Sequence, residues 1–307
     1  MPDRIDSPAL TIAGLGQLGL PLAVALAQAG LTVTGIDPDD ARRSAAARHG
    51  RFAVMAQASP ALWRKTQVLV TVLPSDISAQ SLLSGPSGAL ACLPEGAIHL
   101  CIGTLSVALC LALANQHADA GQRFAACPVF GRPDEAWARD LTALFGPGGP
   151  DEDGWQATAQ RILAVFAPRR HVVPSPAAAC AIKLAGNLMI ASAISTLAEA
   201  SRFVRAHGAD ASTLHQVITS KLFRGPVYEG VGGRLTRTAD SGREADAPAG
   251  FTVQLGLKDI TLLLAAATAA GVSTPIGDLA RTTLARAIEA GCATFDWADL
   301  PACLPKG

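Results

Sequence analysis

Along the first 175 positions, apolar residues fall in short bursts separated by longer amphipathic stretches. Leu10-Thr11-Ile12-Ala13 is the first burst and stops at Gly14; positions 21–29 then carry a helical pattern, and 31–36 form a β-branched run that ends at Asp37. Strand, glycine turn, helix and strand within about thirty residues predict a βαβ unit. The rhythm continues with apolar runs at 68–73, stopped by Pro74, at 97–102, stopped by Gly103, and at 124–129. The last is His171-Val172-Val173. Short buried runs alternating with helical patterns predict an α/β fold, its mostly parallel sheet covered by helices on both faces.

After Pro174-Ser175-Pro176 the texture changes. Positions 177–206 form a long alanine- and leucine-rich stretch with no interior proline, and helical patterns follow at about 210–220, 251–270 and 275–291. No strand signal of similar strength appears after Val173. The expected domains are therefore 1–175, α/β, and 176–307, all-α, with a long interdomain helix at the junction. Segments 146–154 and 236–248 read as polar, turn-rich loops. The longest apolar stretch, 177–200, carries Lys183, Asn187 and Glu199, which predicts a buried helix rather than a membrane span.

Composition narrows the function. Half of the 307 residues are hydrophobic and 16% are charged, too apolar for extensive disorder. The 25 basic and 25 acidic residues cancel, which gives no electrostatic reason for nucleic acid or an anionic membrane as partner. Small molecules and copies of the same chain are the expected partners. The apolar helical half leads us to expect a homodimer or higher homo-oligomer. Seven cysteines, an odd number without a CxxC pair, predict reduced thiols in a cytoplasmic setting rather than disulfides or a zinc ribbon. The opening Met1-Pro2-Asp3-Arg4 reads as no secretory leader. The six histidines show no ligand spacing, so no metal is expected.

Gly14-Leu15-Gly16-Gln17-Leu18-Gly19 matches G-x-G-x-x-G between a strand and a helix. The first glycine permits a tight turn, the second lets the backbone approach a pyrophosphate, and the third lets helix pack on strand. The helix N-terminus then faces the phosphates. This context identifies a Rossmann domain for NAD or NADP. Asp37, eighteen residues beyond Gly19, is placed to accept from ribose hydroxyls and would repel a 2′-phosphate, favouring NAD. Arg42 and Arg43 could instead reach a phosphate, and Asp37 could simply cap the turn with Pro38.

With these residues in view, the chain resembles the β-hydroxyacid dehydrogenase family, which includes 3-hydroxyisobutyrate dehydrogenase. Further segments carry the resemblance in the family's order. Leu73-Pro74-Ser75-Asp76 matches a loop beside the cofactor, implying cofactor contacts for Leu73, Pro74 and, one turn on, Ser78. Gly103-Thr104-Leu105-Ser106 matches the family's S-T-x-S/D loop, implying Thr104 near the nicotinamide ribose and Ser106 near substrate. Pro128-Val129-Phe130-Gly131-Arg132 matches the substrate-recognition stretch, usually P-V-S-G-G, so Phe130, Gly131 and Arg132 are implied substrate residues. Lys183-Leu184-Ala185-Gly186-Asn187 matches the catalytic K-L-x-x-N. Leu257-Lys258-Asp259-Ile260 matches the segment that places Lys258 at the cofactor and Asp259 at the substrate.

The resemblance implies hydride transfer between nicotinamide and a small 3-hydroxy acid/semialdehyde pair or related carbonyl, in a cleft between the domains. Lys183 would be the proton donor and Asn187 its assistant. The residues agree: Lys183 and Asn187 are i and i+4 on one helix face, and a lysine in an apolar helix is costly unless its charge is used. Phe130 and Arg132 depart from the usual serine and glycine. Phenylalanine donates no hydrogen bond to a carboxylate, whereas Arg132 offers a bidentate partner. Two rivals stand beside this reading, an imine reductase-like enzyme acting on C=N bonds and a non-catalytic dinucleotide sensor.

Overall fold

The computed structural model describes residues 8–243 and 248–303. The opening residues 1–7, read above as no leader, and 244–247, read as loop, lie outside the described residues. Contacts divide the chain into two compact units, Met1–Lys183 and Leu184–Gly307.

The first unit begins with the expected β1 (Ala9–Ala13), α1 (Gly19–Gln28) and β2 (Thr32–Ile36). It continues through α2 (Asp40–Ala47), β3 (Ala53–Met55), α3 (Pro60–Trp63), β4 (Val68–Thr71), α4 (Asp76–Leu83) and α5 (Ala89–Cys92). Then come β5 (Ile98–Cys101), α6 (Val107–Asp119), β6 (Arg123–Ala126), β7 (Val129–Phe130), α7 (Pro133–Trp137), β8 (Thr142–Pro147), α8 (Trp155–Ala164) and β9 (Arg169–Val172). Among the described residues the sheet order is β3-β2-β1-β4-β5-β6-β8-β7, with β9 on β8. Strands β1 to β6 pair in parallel, and β8 runs antiparallel to both β6 and β7.

The central strands are buried on both faces, which is why they read as unbroken apolar runs. Side chains alternate between two cores: Val68 and Val70 join the layer with Leu22 and Leu26 of α1 and Ile162 of α8, whereas Leu69 joins Leu83 of α4 and Leu113 of α6. Chain order reverses beside β1, whose neighbours are β2 and β4, so a crevice forms at the carboxyl ends of β1 and β4.

Four polar residues are aligned between the sheet and α6. Gln122 donates its amide to Leu90 O and Leu93 O, which turns its oxygen toward His117 Nδ1 at 2.8 Å. His117 Nδ1 therefore carries the proton, and its Nε2 accepts from His99 Nδ1 at 2.9 Å. His99 Nε2 in turn accepts from Thr71 Oγ1 at 2.9 Å. Both rings are fully buried. Burial pushes His99 well below the usual histidine range, helped by the facing His117, and pushes His117 down to about 4.

The second unit is helical: the rest of α9 (Pro176–Ala206), then α10 (Ala211–Lys221), α11 (Gly232–Ser241), α12 (Val253–Ala269), α13 (Pro275–Glu289) and α14 (Leu300–Cys303). Its core gathers Ile194, Leu197, Leu235, Ile260, Leu284 and Trp297. The long helix is buried on one face only. Met189 is 72% and Phe203 65% exposed, so its reading as a buried helix needs correcting to a half-covered one.

Other expectations are also corrected. The apolar run 124–129 breaks at Cys127-Pro128 into β6 and β7. The loop assigned to 146–154 starts two residues late, because Gly146 and Pro147 close the six-residue β8, whose Gly-Pro end reads as a turn; the three-residue β3 was too short to register. The loop assigned to 236–248 begins inside α11. Polar residues there point inward to the buried Asp299, which accepts from Arg234 Nε at 2.9 Å, Arg234 Nη2 at 2.7 Å and Thr238 Oγ1 at 3.3 Å. Finally, Cys292 and Cys303 form a disulfide, with Cα atoms 6.0 Å apart, against the expectation that all thiols stay reduced. Packing of α14 beside the end of α13, not spacing in sequence, brings them together.

The neutral histidines make stability depend on pH. Above about pH 6.5 they are neutral in both folded and unfolded chains; below it the unfolded chain binds protons that the folded one refuses. Stability is therefore lost as pH falls from about 6.5 toward 4, with His117 alone contributing about 3 kcal/mol. Urea titrations across that window should show the loss, and His117→Gln should flatten the slope by about one proton. An unchanged slope in the variant would contradict a buried neutral His117.

Candidate active site

The glycine turn is fixed by backbone contacts. Gly14 has φ +94°, closed to most side chains, and its N–H donates to Ile36 O at 2.8 Å. A Cβ on Gly19 would overlap the carbonyl oxygen of Gly14, so α1 touches the strand end through bare backbone. Above Gly16 only the Arg42 guanidinium comes near, 3.8 Å from where a Cβ would stand. The N-terminus of α1 has no side-chain cap; Leu20 N–H turns back to Gly16 O and Pro21 brings no N–H, so it is the positive end of the helix dipole that faces the turn. An open cradle over Gly16 and an uncapped helix end fit the pyrophosphate of a dinucleotide.

Asp37 serves the scaffold first. Its buried carboxylate accepts from Leu15 N at 2.8 Å and from Asp39 N at 2.9 Å, and pairs with Arg42 Nη1 at 3.5 Å. The turn-capping alternative is therefore realised, joined to a bond that reaches back to the glycine loop. Arg43 is bound to Asp37 O, Pro38 O and the Asp40 carboxylate. Arg42, about half exposed, is the cation that remains at the rim of the loop.

The loops after β4 and β5 converge with the glycine turn. A Cβ on Gly103 would overlap Leu73 O, so the two loops meet backbone to backbone. Asp76 Oδ1, which carried no sequence signal of its own, accepts from Ser106 N at 2.9 Å and ties them together. Ser78 and Ser75 form a capping box on α4, with Ser78 Oγ donating to Ser75 O at 2.8 Å. Ser106 Oγ likewise caps α6 by accepting from Leu109 N at 3.0 Å. These hydroxyls position the loops that carry Pro74 and Thr104.

Lys183 is almost fully buried, and its ammonium lies 4.1 Å from the centroid of the Phe130 ring at the end of β7. The ring face offsets part of the lost hydration of the charge. Arg132, after Gly131, opens α7, and its N–H donates to Glu135 Oε2 at 2.7 Å. Glu135 was not foreseen, although an acid three residues after a helix start is a capping signal. Within the second unit, Asn187 Nδ2 donates to Asp259 Oδ2, and Lys258 Nζ pairs with Asp259 Oδ1 at 2.8 Å. The buried Asp259, expected at the substrate, thus joins Asn187, expected to assist catalysis, to Lys258, expected at the cofactor.

A strand order of this kind with a glycine cradle and a buried lysine defines a dinucleotide-binding oxidoreductase. The family described as the NAD binding domain of 6-phosphogluconate dehydrogenase matches residues 9–174. The family described as the NAD-binding domain of NADP-dependent 3-hydroxyisobutyrate dehydrogenase matches residues 177–301. The chain therefore belongs to the β-hydroxyacid dehydrogenase family of NAD(P)-dependent oxidoreductases.

Among its relatives, the uncharacterized oxidoreductase YfjR of Bacillus subtilis is 32% identical over 96% of this chain and 99% of its own. The 2-(hydroxymethyl)glutarate dehydrogenase of Eubacterium barkeri is 26% identical over 87% of this chain and 85% of its own. The solved 3-hydroxyisobutyrate dehydrogenase of Mycobacterium tuberculosis with L-serine superposes with a TM-score of 0.80 at 25% identity, covering 96% of this chain and 98% of that one.

Gly19→Ala should drive a methyl group into the Gly14 carbonyl and lift α1 from the sheet. NADH and NADPH binding, followed by nucleotide fluorescence, should weaken by at least about tenfold, the scale of 1–3 kcal/mol of backbone strain. Unchanged affinity would remove this contact from the cofactor site.

Proposed function

We propose that this chain catalyses the NAD(P)-linked interconversion of a hydroxyl and a carbonyl group. Its substrate would be a small 3-hydroxy acid/semialdehyde pair or a closely related carbonyl, with Lys183 as proton donor and acceptor. The observation that carries this is the buried Lys183 ammonium, set one helical turn before Asn187 in α9. When bound, reduced nicotinamide would supply the hydride for the carbonyl carbon. Lys183 Nζ gives a proton to the carbonyl oxygen, so one NAD(P)H and one proton are consumed for each alcohol formed. In the reverse direction the lysine takes the hydroxyl proton. Asp259 accepts from Asn187 Nδ2 and so fixes the orientation of the amide.

For the cofactor, Gly14, Leu15, Gly16, Gln17, Leu18 and Gly19 would cradle the pyrophosphate, with Leu73, Pro74 and Thr104 along the nicotinamide half. The Asp37 carboxylate supports NAD, since a 2′-phosphate would meet its charge, while Arg42 beside it supplies a rim cation able to admit NADP. The reading also takes the enzyme to be a cytoplasmic homodimer or higher homo-oligomer. The exposed apolar face of α9 supports the oligomer, and five free thiols, set against the one disulfide, support the compartment.

Lys183→Ala should bind cofactor normally and lose about 10²–10⁴-fold in kcat, the usual contribution of a positioned acid. Steady-state reduction of short semialdehydes, beside nucleotide binding, measures both. Full turnover in the variant would sink the lysine's role and point to a different acid, whereas cofactor binding without turnover in the unaltered chain would favour the sensor. Arg42→Ala should lower kcat/KM for NADPH by about tenfold, the scale of a hydrogen bond to a charged group, and spare NADH. Equal loss with both cofactors would show that Arg42 supports the loop rather than a phosphate.

A further inference from the structure

Phe130 and Lys183 are brought together by contacts within the first unit. Phe130 closes β7 and faces Thr142 of β8 in the antiparallel pair. Directly after it the chain turns at Gly131, which has φ +143°. At the other end of β8, a Cβ on Gly146 would overlap Ser175 O and crowd the Ala179 methyl, so the strand meets the start of α9 through bare backbone. Ala179 and Cys180, on the turn of α9 before Lys183, are buried in the core layer against which Phe130 packs. Ring and lysine are thus anchored to one core from two sides, and packing sets the 4.1 Å from Nζ to the ring centroid.

The charges around the pair are few. Strands β7 and β8 carry no charged residue; α7 brings Arg132 at its cap, Asp134 and Glu135, and the preceding turn of α9 brings the Cys180 thiol. An aromatic face attracts a cation through its quadrupole, and a neutral amine far less. It has no acceptor atom to take the proton, as a carboxylate in its place would have. We infer that Phe130 is a positioning residue for the proposed proton donor, its ring face holding the Lys183 ammonium in place and charged until a carbonyl oxygen takes the proton. This moves Phe130 out of the role of a substrate contact. It rests on the proposed role of Lys183, and no bond forms or breaks at the ring.

The test follows reduction of short semialdehydes with NADH, and oxidation of the matching hydroxy acids with NAD, by the purified full chain from about pH 6 to 11, which spans the titration of a lysine. Reduction needs the ammonium and is lost as pH rises through its titration; oxidation needs the amine and is gained over the same range. Phe130→Leu keeps an apolar side chain and removes the ring face. Both limbs should move down by about 0.5–1.5 pH units, the worth of a cation–π contact. At neutral pH its kcat for reduction should fall about threefold to tenfold, with substrate KM and NADH binding unchanged. Phe130→Met, a second variant without a ring, should do the same, and Phe130→Tyr should restore both limbs and kcat. The groups on α7 and α9 are the same in every variant, so a moved limb reads the ring alone. Limbs that stay in place without the ring would overturn the inference and make Phe130 a filler; a raised substrate KM at unchanged kcat would overturn it and make Phe130 a substrate contact. In either case an inactive Lys183→Ala leaves the proton-donor reading standing. Full turnover in Lys183→Ala, or NADH binding without any turnover by the unaltered chain, would overturn that reading and the inference with it.

Discussion

The buried carboxylate of Asp37 is the interaction on which the cofactor half depends. With one oxygen on the Leu15 N–H and the other on the Asp39 N–H, it laces the loop after β1 to the loop after β2. The glycine turn alone would be a flexible run. Bound in this way, and pressed against α1 through Gly14 and Gly19, it becomes a fixed turn of bare backbone, open above Gly16. The loops after β4 and β5 are joined to each other in turn by the Asp76 bond to Ser106. Two carboxylates, each bridging neighbouring loops, order one edge of the sheet.

Much of this was legible in the sequence because the signals are local. The βαβ start, the strands that end at Pro74 and Gly103, and the long helix all announce themselves through apolar period and punctuation. What stayed hidden depends on long-range pairing. The strand β8 ends in Gly-Pro, so its last residues resemble the loop that follows. The helix α11 looks like a polar loop because its Arg234 and Thr238 turn inward to a buried aspartate sixty or so residues away in sequence. No pattern within either segment records that partner.

The site shows the same division. The glycine motif and Lys183 could be picked out from their neighbours in sequence, and resemblance added the rest of the candidate residues. The resemblance did not foretell how those residues would be used. Ser78 and Ser106 act through the helices they cap. Lys258 and Asn187 meet on Asp259. Glu135 fills a donor in the very loop where the sequence departs from the family at Phe130 and Arg132. A carboxylate that satisfies a donor is invisible without coordinates, because only geometry tells which of several nearby acids takes it.

The row from Gln122 to Thr71 has a direction. The Gln122 amide is oriented by two carbonyls, so every proton in the row is set from that end, and no member can reverse without reversing the others. A replacement at one position leaves its neighbour with a lone pair facing a lone pair, or a proton facing a proton, inside a dry core. A replacement at any of the four positions must offer a donor and an acceptor in the same order, or leave a buried group unpaired.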